Sequence, residues 1–107
     1  MEIPELSPAE TVEFLKSHPE AKLLDVRTEE EYETARIKGA VLINSPAKAE
    51  EILALPKETP LVFHCHHGMR SRGAAEHFVQ QGFRNVWNVE GGIDAWSLNV
   101  DPSVPRY

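Results

Sequence analysis

Residues 61–71 read LVFHCHHGMRS, and this stretch decides the predicted fold. Its first three residues are apolar and form a short run typical of a buried strand, which ends at His64-Cys65. The residues from Ser71 to Gln81 then place their apolar side chains on one face of a helix. A buried strand, a short loop and a helix in this order are the unit from which parallel sheets are built.

The same alternation continues on both sides of this stretch. Three more apolar runs predict strands, and four further segments predict helices. The strands are expected within Ala21–Val26, Ala40–Ile43 and Asn85–Val89, and the helices after the capping residues Ser7, Thr28 and Ser45 and after Gly91-Gly92. The chain is therefore predicted to be α/β, with a mostly parallel sheet covered on both faces. In such sheets ligands bind beyond the carboxyl ends of the strands.

Bulk properties limit the classes of function. The 107 residues suit one domain spanning 1–107, and the net charge of −6 argues against nucleic-acid binding because an acidic chain repels phosphates. Cys65 is the single cysteine, so no internal disulfide can form. No signal-peptide pattern and no apolar run long enough to cross a bilayer is present, and we expect a cytoplasmic protein without membrane contact.

The loop after Cys65 carries the candidate chemistry. Its main-chain N–H groups can curl inward, Gly68 permits conformations closed to other residues, and the following helix start adds unpaired donors. A cluster of inward-pointing N–H groups, with the permanent positive charge of Arg70 nearby, favours the thiolate form of a cysteine. We therefore predict that Cys65 is a nucleophile and that the loop binds an anionic substrate.

Several motifs together give a family resemblance that covers nearly the whole chain. The cysteine loop, with four residues before Arg70, resembles the active-site loop of the rhodanese family. The other matching segments are Leu24–Arg27 with Glu31-Tyr32, Ile37–Ala40, Gly82-Phe83 and Val89–Trp96. The resemblance implies a three-layer rhodanese-like domain with a central parallel sheet of about five strands and helices on both faces.

The resemblance also implies a reaction. The Cys65 thiolate would take the outer sulfur of thiosulfate or a similar donor and hold it as a persulfide. Cyanide or a thiol, including one on a partner protein, would then accept that sulfur. The implied substrate-binding residues are His66, His67, Gly68, Met69 and Arg70, whose amides would stabilise the anionic sulfur. No cofactor and no metal is implied, and the adjacent residues His64–His67 are too close in sequence to converge on one ion.

Two alternatives remain beside this reading. Related phosphatases and arsenate reductases use a larger loop with five residues between cysteine and arginine, whereas this chain has four. A sulfur-relay or regulatory module of the same fold would instead dock a partner protein.

The first residue after the cysteine differs from a common pattern of the family. Many family members have arginine there, whereas this chain has His66. A histidine attracts an anion only when it is protonated. We expect His66 or His67 to contact the substrate, unless only their amides are used.

Residues outside the loop are predicted to have structural roles. Asp25 and Arg27 lie near the carboxyl end of a predicted strand, and the resemblance to the rhodanese family implies that they hold neighbouring loops. Trp87 and Trp96 are expected to pack in or near the core, and His77 is expected to be exposed.

Overall fold

The structure is a computed structural model that describes residues 3–65 and 69–105, with Met69 described by its backbone only. These residues contain ten elements, and strands alternate with helices throughout. They are β1 (Glu5–Leu6), α1 (Pro8–Ser17), β2 (Lys22–Asp25), α2 (Glu29–Thr34), β3 (Val41–Leu42), α3 (Pro46–Leu53), β4 (Leu61–His64), α4 (Met69–Gln80), β5 (Val86–Val89) and α5 (Gly92–Asn99).

The five strands form one parallel sheet in the order β1-β5-β4-β2-β3. This confirms the predicted α/β fold and its strand number. β4 lies at the centre, between β5 and β2, so residues that follow β4 reach the middle of the sheet's carboxyl edge. The sequence did not predict β1, because Glu5 and Leu6 do not belong to an apolar run. β1 exists because Glu5 and Leu6 pair with Asn88 and Val89 of β5.

Alternate strand residues face two separate apolar layers, as the pleat of a strand requires. Leu24 and Phe63 lie on one face, where they pack with Ile52 of α3 and Phe78 of α4. The opposite face, which includes Leu23 and Val62, packs against Ile93 and Trp96 of α5 and partly buried residues of α1. Helices therefore cover both faces of the sheet, as predicted.

Side-chain caps define where the first three helices begin. The Ser7 hydroxyl accepts from the Glu10 N–H at 3.1 Å, and the Glu10 carboxylate accepts from the Ser7 N–H at 2.8 Å. Thr28 and Glu31 form the same reciprocal pair, and Ser45 caps α3. These predicted caps are confirmed. Over the described ranges 3–65 and 69–105, no helix has the length and apolar character needed to cross a membrane.

Candidate active site

Cys65 directly follows the central strand β4, and α4 begins at Met69. The side chain of Cys65 is buried, with 1% of the residue exposed. Its carbonyl oxygen accepts from the Ile93 N–H at 2.8 Å, which ties the end of β4 to the start of α5. The structure thus places the cysteine at the carboxyl edge of the sheet, where the sequence predicted the site. His66, His67 and Gly68 lie outside the described residues, as does the side chain of Met69, so their binding roles stay predictions.

Ser71, in the first turn of α4, contacts the sulfur through two groups. Its main-chain N–H donates to Cys65 Sγ at 3.4 Å, and its hydroxyl oxygen lies 3.5 Å from the same sulfur. α4 begins two residues earlier than the sequence predicted, so Ser71 is its third residue rather than its first. Sequence reasoning did not select Ser71, although a hydroxyl residue six positions after the cysteine, at the predicted start of a helix, was an available signal.

A line of polar side chains continues behind Ser71 into the sheet. The Ser71 hydroxyl donates to Asn88 Oδ1 on β5 in a short contact, and Asn88 Nδ2 donates to Glu5 Oε2 on β1 at 3.2 Å. The same carboxylate oxygen accepts from Arg72 at 3.1 Å. Because Arg72 lies on α4, as Ser71 does, the chain of hydrogen bonds begins and ends on this helix. Ser71 and Asn88 are fully buried. None of these partners of Ser71 was predicted.

Arg70, the last residue of the cysteine motif and the second residue of α4, has a partner on α2. Its guanidinium donates to both oxygens of the Glu31 carboxylate, at 2.7 and 2.8 Å. The Arg70 side chain is 47% exposed and that of Glu31 is 20% exposed. The sequence predicted Arg70 as a loop cation, and the structure adds Glu31 as the carboxylate that shares this charge. Binding of substrate by Arg70 stays a prediction.

Asp25 and Arg27 form a fully buried ion pair at the end of β2. Arg27 Nε and Nη2 donate to the two Asp25 oxygens at 2.9 and 2.6 Å, and neither side chain is exposed. Arg27 also donates to the carbonyl oxygens of Ala35 at 2.6 Å and Glu31 at 3.3 Å. These bonds connect β2 with both ends of the segment Glu31–Ala35. The pair therefore has a structural role, as predicted, but the described contacts hold helix α2 and its C-cap and not a loop.

His64, the last residue of β4, is buried and uncharged at neutral pH. Burial lowers the pKa of His64 from 6.5 to about 4, and the positive charge of Arg27 adds to this, while Asp25 and the backbone of Cys65 oppose it. Its Nε2 lies 3.7 Å from Asp25 Oδ2. Because the ring is neutral, this contact is not an ion pair at pH 7, and the carboxylate is already neutralised by Arg27.

Other predicted residues lie as expected, and the described residues offer no evident metal centre. Trp96 packs in the core, Trp87 is partly buried against Phe14, and His77 is exposed. Within ranges 3–65 and 69–105, no group of three or more histidine, cysteine or carboxylate side chains could hold a metal ion.

The fold and the site together define a class: α/β domains that present a cysteine between the central parallel strand and the following helix. The model of the rhodanese-like domain family matches residues 7–99. The chain belongs to the rhodanese-like family.

Curated relatives and solved structures agree with this assignment. The chain is 39% identical over 102 residues to the putative sulfurtransferase YtwF of Bacillus subtilis, covering 95% of this chain and 98% of that protein. It is 31% identical over 101 residues to the thiosulfate sulfurtransferase GlpE of Pseudoalteromonas translucida, covering 94% and 95%. A rhodanese-like domain protein from Staphylococcus aureus superposes with a TM-score of 0.77 at 26% identity, covering 98% and 99%. The names of the two curated relatives support a rhodanese-type sulfurtransferase at the level of the family.

Proposed function

We propose that this protein moves a sulfane sulfur from thiosulfate, or a similar small donor, to a nucleophilic acceptor through a persulfide on Cys65. The observation that carries the proposal is the position of Cys65 Sγ, which lies at the carboxyl edge of the sheet and receives the Ser71 N–H at the start of α4. Donors aimed at a buried sulfur stabilise negative charge on it. The GlpE relatives are named for the same donor.

The reaction has two displacement steps. In the first, the Cys65 thiolate attacks the outer sulfur of thiosulfate, a new S–S bond forms, and sulfite leaves with the electron pair of the old S–S bond. In the second, cyanide or a thiolate attacks the outer sulfur of the persulfide. The Cys65 thiolate then leaves with the electron pair of that bond, so the enzyme returns to its starting state without a redox cofactor.

Different residues of the cysteine loop have different proposed roles in these two steps. The amides of His66, His67, Gly68 and Met69 are the proposed donors to the outer sulfur, and Arg70 supplies a cation at the loop's end. The Arg70–Glu31 pair holds this end of the loop against α2. The spacing of four residues before Arg70 suits one added sulfur better than a phosphoryl group, which favours sulfur transfer over phosphatase or arsenate reductase activity.

A coupled assay tests the proposal. Purified protein is mixed with thiosulfate and either cyanide or a small thiol, and the release of sulfite and the formation of thiocyanate or persulfide are followed. The proposal predicts turnover that requires both substrates and is lost in Cys65→Ser. The matched control is Ser103→Ala, an exposed site in the C-terminal segment, which should keep full activity. Hydrolysis of a phosphate ester without sulfite release would overturn the proposal. Sulfur transfer only to a partner protein would favour the relay alternative.

A further inference from the structure

The hydrogen-bond line behind Cys65 has a fixed direction. An amide oxygen can only accept a hydrogen bond, so Ser71 must be the donor in its short contact with Asn88 Oδ1. The orientation of the Asn88 amide is in turn set by Glu5, because a carboxylate accepts from Nδ2 and repels Oδ1. Glu5 and Asn88 are also direct partners in the β1–β5 register, so the sheet itself holds them together.

This direction matters at the sulfur because the Ser71 hydroxyl has a single proton. Its oxygen lies 3.5 Å from Cys65 Sγ, within reach of a donated hydrogen bond, but the proton is directed to Asn88. The sulfur then receives the Ser71 main-chain N–H and faces the lone pairs of the hydroxyl oxygen. A thiol can donate to those lone pairs, whereas a thiolate gains nothing from them.

We propose that Asn88 and Glu5 are positioning residues that hold the Ser71 hydroxyl proton away from the Cys65 sulfur. This inference rests on the proposed function in one respect, since it concerns the nucleophilicity of the sulfur that carries the persulfide. A thiolate that lacks one strong hydrogen bond is a better nucleophile and forms over a higher pH range. By this arrangement, Asn88 and Glu5 make each Cys65 thiolate more nucleophilic, while a smaller fraction of Cys65 is ionised at a given pH.

Charged and titratable groups surround this network on several elements. Glu5 is paired with Arg72, and both side chains are partly exposed, at 33% and 51%. His64 is neutral at pH 7. Other charged or titratable side chains on neighbouring elements are Asp25 and Arg27 at the end of β2, which is paired with β4, Arg70 of α4 and Asp94 of α5. A test must therefore change hydrogen-bond direction without changing charge, and Asn88→Leu does so with a side chain of similar size.

The test uses the fact that Cys65 is the single cysteine. The rate of alkylation by iodoacetamide is measured against pH for the full chain, Asn88→Leu, Ser71→Ala and the double variant. In Asn88→Leu the hydroxyl loses its acceptor on β5 and can turn its proton toward the thiolate 3.5 Å away, so the midpoint of the profile moves to lower pH. The rate at mildly acidic pH then rises about threefold, since more thiolate forms while each thiolate is somewhat less nucleophilic.

The double variant separates positioning from a general structural effect. With Ser71→Ala present, Asn88→Leu should leave the profile unmoved, because no hydroxyl proton remains to redirect. A profile that is unmoved or shifted to higher pH in folded Asn88→Leu would overturn the proposal, as would an equal shift in both backgrounds. Asn88→Val is the second charge-neutral variant if Asn88→Leu does not fold, and it should shift the profile in the same direction. Asn99→Leu, which removes an exposed amide on α5, should not.

This measurement does not depend on sulfur transfer. A wild-type protein that fails to load sulfur would reject the proposed function, while the alkylation profiles alone decide the direction of the Ser71 proton.

Discussion

Arg70 and Glu31, 39 positions apart in sequence, face each other in a bidentate ion pair with distances of 2.7 and 2.8 Å. Glu31 also accepts from the Thr28 N–H at 3.1 Å as part of the capping box of α2. One carboxylate thus begins a helix and anchors the end of the cysteine loop. Since Ser71 follows Arg70 directly, this anchor also influences where the Ser71 N–H meets the sulfur.

Glu31→Gln should reduce sulfur transfer more than it reduces stability. Glutamine keeps the size of the side chain but loses the charge and one acceptor oxygen, so Arg70 is no longer held by two bonds. We expect kcat/KM for thiosulfate to fall about threefold to tenfold, because small displacements of catalytic groups are costly. Glu30→Gln, on an exposed neighbouring position of α2, is the control and should change kcat/KM little. Equal values for both variants would contradict the anchoring role of Glu31.

Arg27→Leu should be strongly destabilising. It leaves the buried carboxylate of Asp25 unpaired and removes the donors to the carbonyl oxygens of Glu31 and Ala35. We expect a loss of about 3–5 kcal/mol in the free energy of unfolding, measured by urea denaturation. Arg84→Leu, which breaks the exposed pair with Glu58, should cost less than about 1 kcal/mol. Similar losses for the two variants would show that burial of the Asp25–Arg27 pair is unimportant.

The neutral state of His64 predicts a pH dependence of stability. Because the pKa of His64 falls from 6.5 to about 4 on folding, the unfolded chain binds a proton in this range that the folded protein does not. The contribution is complete above pH 6.5 and is lost progressively as the pH falls toward 4, by up to about 3 kcal/mol. Urea denaturation at several pH values measures this slope.

His64→Phe provides the control for this slope. Neither ring nitrogen of His64 has a hydrogen-bond partner among the described residues, so an apolar ring of similar size loses no hydrogen bond to them. The variant should retain its stability at pH 7 within about 1.5 kcal/mol and show a flatter slope between pH 4 and 6.5. An unchanged slope would contradict the assignment of the pH dependence to His64.

Two glycine substitutions should have opposite effects. Gly91, which precedes α5, has φ of +75°, and an added Cβ would lie 2.6 Å from the Cβ of Ala95. Gly91→Ala should therefore be destabilising by more than about 1 kcal/mol. Gly73 lies inside α4, and a Cβ there would meet nothing within 4 Å, so Gly73→Ala should stabilise by about 0.5–1 kcal/mol. Thermal denaturation compares the two, and a stabilising Gly91→Ala would contradict this geometry.

The sequence predicted those parts of the fold that depend on local patterns. Apolar runs located β2, β3, β4 and β5, and the capping residues Ser7, Thr28 and Ser45 located the helix starts. β1 was not predicted because its two residues become a strand only by pairing with β5. Cys65 and Arg70 were selected from the loop, whereas Glu31, Asn88 and Glu5 reach the site from distant positions. Such contacts depend on strand order, which local patterns do not encode.

The most direct test of the account is the intact mass of the protein after incubation with thiosulfate and removal of excess reagent. The account predicts a gain of one sulfur atom per chain, located on the peptide that contains Cys65, discharged by cyanide and absent in Cys65→Ser. An unchanged mass in folded wild-type protein whose Cys65 still reacts with iodoacetamide would contradict it.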